Sequence, residues 1–358
     1  MKIPSPSRPG RWLTCVEPEA LVHHFLRHPP ENFTSFTLTS GLPGFLANFD
    51  LLTTADEQLQ TTLKKIPGMR RLLTWRTCFI GSTASEFCPL PAEEPDDLIA
   101  DMFAAWDKQT AILIVKDIPG NAPFLGKAAQ NHAERLIPAL EKRGFFLVEG
   151  QALAYLPIDF ADEDDYLARL SPGRRRDIRR KLRSRRDLRI EVIASGDSRL
   201  LDPDLLSELY GQYLEVYAQS EIHFDLLTLD FFKALLHDTS LAARLFLYYR
   251  EGELIGHNLC FVHNGMLIDK YVGFRYPAAR ECNLYFVSWM ENLGFAKREG
   301  LRYYIAGWTD PAIKSYLGAR FTRTRHAVYV KNPLLRTILR PLAGHFEQDK
   351  AWGEEPPA

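Results

Sequence analysis

Five cysteines (Cys15, Cys78, Cys88, Cys260 and Cys282) are scattered over the 358 residues, and no two stand in a CxxC pair. An odd, dispersed set of this kind excludes a disulfide framework and a cysteine zinc site. None has a matching histidine partner, which disfavours a cysteine nucleophile. No apolar run approaches the roughly 20 residues that a membrane helix needs. The opening MKIPSPSRPGRW sets Pro and Arg where a signal peptide has its apolar segment, so a cytoplasmic protein is expected. HExxH, Walker and dinucleotide motifs are missing, as are internal repeats and low-complexity tracts. A dominant sign of charge is missing too: 44 Lys and Arg against 45 Asp and Glu leave a net charge of −1. That balance excludes a chain coated in basic residues for nucleic acid. What remains, 46% hydrophobic and 25% charged, is ordinary soluble globular composition. The length exceeds one usual core and predicts two domains.

Strand-like and helix-like runs alternate along the chain. The first 30 or so residues, rich in Pro and His, read as an irregular lead-in. Leu72–Ile80 and Ala111–Ile118 predict strands, the second bounded by Pro119-Gly120. Lys127–Arg143 predicts a helix, with Ala133, Leu136, Ile137 and Leu140 at helical spacing and Gly144 as its stop. Phe145–Val148 and Ala152–Ile158 follow as strands. Leu188–Ala194 is the next strand, Pro203–Ser220 and Leu229–Leu236 are helices, and Ala243–Tyr249, Glu253–His263 and Gly265–Val272 predict an antiparallel meander. Its turns are Arg250-Glu251-Gly252 and His263-Asn264-Gly265, the latter an Asn-Gly hairpin signal. A helix over Asn283–Arg298 and strands at Tyr303–Ala306 and Ala327–Val330 complete the pattern. Alternation of this kind predicts an α/β or α+β layer.

The local charge is less even than the total. Ten of the sixteen positions from Arg174 to Arg189 are Arg or Lys, opposed only by Asp177 and Asp187. Ser171-Pro172 supplies an N-cap and a first-turn proline, so a helix starts there. Ile178 and Leu182, four apart, offer a narrow apolar stripe. Two readings stand. The segment is a solvated helix balanced by the upstream acids Asp159, Asp162, Glu163, Asp164 and Asp165, or a surface for a phosphate-rich partner such as RNA. Aromatic interleaving, the mark of a single-strand binder, is absent.

Residues 268–321 read IDKYVGFRYPAARECNLYFVSWMENLGFAKREGLRYYIAGWTDPAIKSYLGARF. A strand ending in Tyr271-Val272-Gly273-Phe274, a loop, an amphipathic helix, a second strand and the phrase KSYLGARF follow in order. This order resembles the C-terminal half of a GNAT-superfamily acyltransferase, in the FemAB-like and BioF2-like branch. The junction phrase LARLSPGRRRDIRRKLR resembles the same branch, and the likeness spans about residues 145–335. It implies an α/β (α+β) fold of tandem GNAT-like units, each a mixed, mostly antiparallel sheet flanked by helices. A degenerate unit is expected over 1–160, a basic linker helix over 161–187 and the acyltransferase unit over 188–358. The implied activity is N-acyl transfer to the amine of a small molecule, lipid or peptide, with acyl-CoA as co-substrate and no permanently bound cofactor. Two alternatives remain: charged tRNA as donor, met by Arg174, Arg175, Arg179 and Arg183, or a non-catalytic scaffold that binds RNA or an acidic partner.

The resemblance also points to residues. GNAT enzymes hold the donor pyrophosphate on backbone N–H groups at a helix N-terminus, usually within Q/R-x-x-G-x-G/A. The matching loop here, Arg275 to Asn283, has no glycine pair but keeps two arginines. Arg275, Arg280, Cys282 and Asn283 are therefore the expected donor-binding residues. Acyl transfer to an amine needs a base and an oxyanion partner. His223, Asp269 and Lys314 are the expected catalytic residues, and Tyr217, Asp225, Tyr271 and Trp308 are expected to wall the acceptor cleft. Each has a plainer alternative: a lone His is more often structural, and strand alternation sends Asp269 and Lys270 to opposite faces.

Overall fold

The computed structural model describes residues 12–50, 74–106, 110–220 and 223–341. Residues 1–11 of the expected lead-in and residues 72 and 73 of the first expected strand lie outside them. The chain forms two compact units, one running to Ala152 and resuming at Thr322, the other spanning Leu153–Phe321.

In the first unit, α1 (Glu19–Arg27) precedes β1 (Thr34–Thr37), β2 (Pro43–Asp50), β3 (Thr74–Ile80) and β4 (Ile112–Pro119). The lead-in is thus helical in part, because Leu21, Val22 and Phe25 form a buried stripe at helical spacing. Strands β1 to β3 pair antiparallel. Helix α2 (Pro95–Ala105) then carries the chain across so that β4 lies parallel to β3. Helix α3 (Lys127–Lys142) buries the four predicted residues Ala133, Leu136, Ile137 and Leu140 against Leu98 and Met102 of α2 and Leu113 and Val115 of β4. The two strands expected at 145–158 are one, β5 (Phe146–Pro157). Gly150, which reads as a turn residue, stays extended, and its missing Cβ leaves room for Thr324 and His326.

The second unit contains α4 (Glu163–Ala168), α5 (Pro172–Lys181), β6 (Leu188–Ala194), α6 (Pro203–Gln219) and α7 (Leu229–His237). It continues with β7 (Ala243–Arg250), β8 (Glu253–His263), β9 (Met266–Phe274), the short α8 (Ala278–Glu281), α9 (Leu284–Arg298), β10 (Tyr303–Gly307) and α10 (Pro311–Tyr316). Strands β7 to β9 form the predicted meander, and β6 extends it by pairing antiparallel with β7. Both hairpin turns, Glu251-Gly252 and Asn264-Gly265, have positive φ at both central residues, which fits the right-handed twist of the paired strands. After α9, β10 returns parallel to β9, and its other edge pairs antiparallel with Ala154–Pro157 of β5. Antiparallel meander, crossover helix and parallel step occur in each unit, so the tandem arrangement is present.

The basic segment packs into the second unit and does not stand apart over 161–187. Ser171 caps α5 as expected, and Ile178 and Leu182 sink into the core with Tyr166, Trp289 and Met290. The helix ends at Lys181, and residues Leu182–Asp187 tighten into a 3₁₀ turn. Acidic neighbours balance much of its charge: Arg179 meets Asp164 at 2.6 Å, Arg185 meets Glu163 at 2.9 Å and also the buried Glu291, and Asp177 takes Arg180 and Lys181. Among the described residues no helix is long and apolar enough to cross a membrane.

Candidate functional site

Hydrogen bonding between β9 and β10 covers only three pairs and stops at Ile268 and Ile305, while β9 runs on to Phe274. At that point both strands are irregular. Strand β10 shifts register against β5 at Ala306, and β9 shifts against β8 so that Cys260 faces Asp269 while Leu259 faces Tyr271. The extra residue is Lys270, and a bulge of this kind re-aims the side chains beside it. Asp269 and Tyr271, which strict alternation would put on one face, part company. Asp269 turns toward Asn292 of α9, whereas the Tyr271 ring meets Phe231 of α7 at 6.1 Å.

Three donors surround the Asp269 carboxylate. Oδ1 accepts from Asn258 Nδ2 at 2.8 Å, and Oδ2 accepts from Tyr304 OH at 2.6 Å and Asn292 Nδ2 at 3.2 Å. Asn258, Asn292 and Tyr304 are all buried. Burial, together with the neighbouring Asp269 carboxylate, holds the Tyr304 phenol well above its usual range, so it stays a donor. A carboxylate with both oxygens occupied is fixed in place, and its first task is to order the corner.

Lys314 is only 4% exposed. It belongs to α10, and its ammonium lies at the same corner: a Cβ on Gly307 would stand 3.8 Å from Lys314 Nζ and 3.6 Å from Asp269 O. The phrase KSYLGA is a physical device. Gly318 N–H donates to Ser315 O at 3.0 Å and Ala319 N–H to Lys314 O at 2.9 Å, with Gly318 at φ +90°. This is a Schellman turn, which needs a residue free to take the left-handed region directly after the helix. It stops the helix one turn past Lys314.

The loop expected to hold the donor, residues 275–283, is tied down along one helix face. Arg275 pairs with Glu208, Tyr276 N–H donates to Glu215 Oε2 at 3.0 Å, and Arg280 donates to Gln219 while covering the Tyr276 ring at 4.7 Å. Glu208, Glu215 and Gln219 all project from α6. Within the loop the N–H groups of Ala279, Arg280, Cys282 and Asn283 close on loop carbonyls. Leu284 and Tyr285, the first residues of α9, supply its N-terminal donors. Asn283 sits just before them at φ +49°, and Cys282 is buried, which pushes its thiol up.

The structure therefore places the Lys314 ammonium and the Asp269 main-chain carbonyl on either hand of Gly307, and binds Arg275 and Arg280 to α6. His223 belongs to another group: it is exposed, with its ring edge-on to Tyr217 at 5.0 Å. Asp225 is half-buried, as is Trp308, which directly follows Gly307. Sequence reasoning missed Asn258, Asn292 and the pair His257–Gln212. A signal was present: His257 and Asn258 are adjacent polar residues in the otherwise apolar middle of β8, Leu254 to Val262, and alternation sends one to each face. Asn258 reaches Asp269, while His257 Nδ1 meets Gln212 Oε1 at 3.1 Å on the α6 side. Burial lowers His257 to about 3, so the ring is neutral and Nδ1–H donates.

No curated protein matches the chain in sequence. A family model described as an acetyltransferase (GNAT) domain matches residues 172–315, from the head of α5 to the residue after Lys314. Among solved structures, L-PGS from Bacillus licheniformis is 11% identical, covers 94% of this chain and 98% of its own, and superposes with a TM-score of 0.53. The C-terminal DUF2156 domain of a candidate lysylphosphatidylglycerol synthetase from Agrobacterium fabrum is 14% identical, covering 89% of this chain and 93% of its own, with a TM-score of 0.51. FemX is 11% identical over 90% of this chain and 98% of its own, at a TM-score of 0.51. Identities this low speak for shared fold. Family match and fold agree: residues 172–315 match an acetyltransferase (GNAT) domain, and the chain shares its fold with FemX.

Proposed function

We propose that the chain transfers an acyl group from a thioester or ester donor to an amine, with Lys314 meeting the oxyanion and Asp269 ordering the corner around it. One observation carries the reading: a lysine with 4% of its surface exposed has its ammonium beside Gly307, where the β9–β10 pairing ends. Removing an ammonium from water costs several kcal/mol, roughly, so a surface role does not account for it. In the reaction the amine nitrogen attacks the carbonyl carbon, and the carbonyl oxygen takes up negative charge against the Lys314 ammonium. The tetrahedral species then collapses, the C–S or C–O bond to the donor breaks, and the leaving thiolate or alkoxide takes a proton as the amine gives one up. His223 is the base candidate that is not part of the Asp269 corner. Tyr217, Asp225, Tyr271 and Trp308 are the proposed acceptor wall.

Acyl-CoA would meet the chain at residues 275–283, with Leu284 and Tyr285 offering N–H groups and Arg275 and Arg280 at the rim. A second reading, an aminoacyl ester of tRNA as donor, is favoured by a specific observation. The loop lacks its glycine pair and both its arginines are engaged by α6, while Arg175, Arg176, Arg183 and Arg186 have no carboxylate partner among the described residues. Of the four arginines expected to meet tRNA, Arg174 lies over Tyr316 and Arg179 pairs with Asp164, leaving Arg175 and Arg183 for it. FemX and L-PGS, which share the fold, are the relatives that make this donor worth testing. The assay offers labelled acetyl-CoA or labelled aminoacyl-tRNA with a panel of primary amines. Label is expected to move from one donor to an amine, and Lys314→Ala to slow it by about 10²–10³-fold, the cost of losing an oxyanion donor. Wild-type turnover in Lys314→Ala would refute the reading.

A further inference from the structure

A helix of six residues does not hold its shape by its own hydrogen bonds, so contacts from outside α10 decide where the Lys314 ammonium goes. Several of those contacts come from one stretch of chain. Tyr316 OH donates to Asp177 Oδ2 at 2.9 Å. Arg174 lies over the Tyr316 ring at 5.6 Å, and its Nη1 donates to Ser315 O at 3.4 Å. Lys181 reaches Asp177 at 2.9 Å and sits between two rings, 3.8 Å from the centre of Phe286 and 5.6 Å from that of Tyr316. Tyr166 OH donates to Leu317 O, and Leu170 occupies the space that a side chain at Gly318 would need. Asp177 is the centre of this set, since it also accepts from Arg180 at 2.7 Å. Hydrogen bonds from Arg180, Lys181 and Tyr316 hold its carboxyl well below the usual range. The four residues that follow Lys314 are thereby attached to α4, α5 and the link between them, and α5 is attached in turn to α4 through Arg179 and Asp164.

We propose that Asp177 and Tyr316 are positioning residues for Lys314, and that α5, the basic helix, is the bracket that seats the 311–319 turn at the Gly307 corner. The catalytic consequence rests on the acyl-transfer reading; the seating of Lys314 does not. A side-chain amine seated by a bracket is protected from reagents, and this gives a test that needs no substrate. The full chain and its Tyr316→Phe and Asp177→Asn variants are treated with an amine-acylating reagent in the native state. Modification of Lys314 is followed by peptide mass spectrometry. The buried Cys260 thiol, probed with a maleimide, reports whether the unit is still folded. Both variants are near-isosteric, and each removes a hydrogen bond involving a charged group. Lys314 should therefore be modified about tenfold faster or more, with Cys260 still protected. Unchanged Lys314 labelling overturns the proposal. So does simultaneous exposure of Cys260 in both variants, because Asp177 and Tyr316 would then be supporting the unit as a whole.

Turnover supplies the second readout. Each variant should lose roughly 10–100-fold in kcat with little change in KM for the donor, as expected when a catalytic group is misplaced by about an ångström. Added to Lys314→Ala, Tyr316→Phe should cause no further loss, since it acts through the residue already removed. If labelling responds but no donor supports turnover in the wild type, the bracket stands and the acyl-transfer reading fails. If the wild type turns over while labelling is flat, the reverse holds.

Discussion

Replacing Gly273 by alanine asks how α6 is seated on the sheet. A Cβ there would lie 2.7 Å from His257 Nδ1 and 2.8 Å from Tyr213 N, and closer still to His257 Cε1. Neither neighbour can yield cheaply. His257 is fully buried and holds Gln212 at 3.1 Å, and Tyr213 N is backbone of α6. The helix must lift or the His257–Gln212 bond must break. Overpacking of this sort costs about 1–3 kcal/mol, and a buried polar group left unpaired adds about 1–3. A combined loss of roughly 2–6 kcal/mol lowers the melting transition of a domain this size by about 4–24 °C. Gly211 makes the control, because it sits mid-way along the same helix and a Cβ there meets nothing within 4 Å. Gly211→Ala should gain about 0.5–1 kcal/mol from helix propensity and raise the transition by roughly 1–4 °C. Calorimetry on the two variants thus looks for opposite signs from one chemical change. A Gly273→Ala protein that melts within about 1 °C of the wild type would refute the reasoning. Because α6 also carries Glu208, Glu215 and Gln219, the Gly273→Ala protein should bind its donor more weakly as well.

Other outcomes can be stated from the same geometry. His257 protonates near 6.5 when unfolded and only at about 3 when folded, so the unfolded chain takes up the extra proton as pH falls. Its contribution to stability is whole above pH 6.5 and is lost progressively toward pH 3, and His257→Gln should flatten the acid limb of stability by about 1.4 kcal/mol per pH unit. An unchanged slope would contradict the burial argument. Arg185→Leu leaves the buried Glu291 without its cation and should cost about 1–3 kcal/mol in denaturant melts, whereas Arg183→Leu, exposed and without a carboxylate partner, should stay within about 0.5. Equal effects would mean that the ion pairs of the basic segment contribute nothing to its seating.

Much of the second unit was legible because its signals are local. Apolar runs marked β6 to β9, the turn residues Arg250-Glu251-Gly252 and His263-Asn264-Gly265 marked the hairpins, and Ser171-Pro172 marked the start of α5. The phrase KSYLGA was legible as a family-like motif, and its turn turned out to rest on three hydrogen-bonded residues and one glycine. The lead-in helix was missed because Pro and His masked a short buried stripe, and β5 was split because a glycine inside a strand reads like a turn.

By itself, then, the sequence determined most of the order of elements and the tandem unit pattern, and it named Asp269 and Lys314 as candidates. Tertiary structure alone decided their surroundings. A bulge at Lys270, chosen by the register of β8, separates Asp269 from Tyr271. Burial turned Lys314 from a surface lysine into an internal ammonium, and packing settled which arginines of α5 are neutralised. The physical reason is range. Propensity, capping and turn chemistry act over a few residues, but the side chains that complete the site meet partners 11 residues away for Asn258 and Asp269 and 139 away for Asp177 and Tyr316. Such contacts exist only once the sheet and its helices have closed.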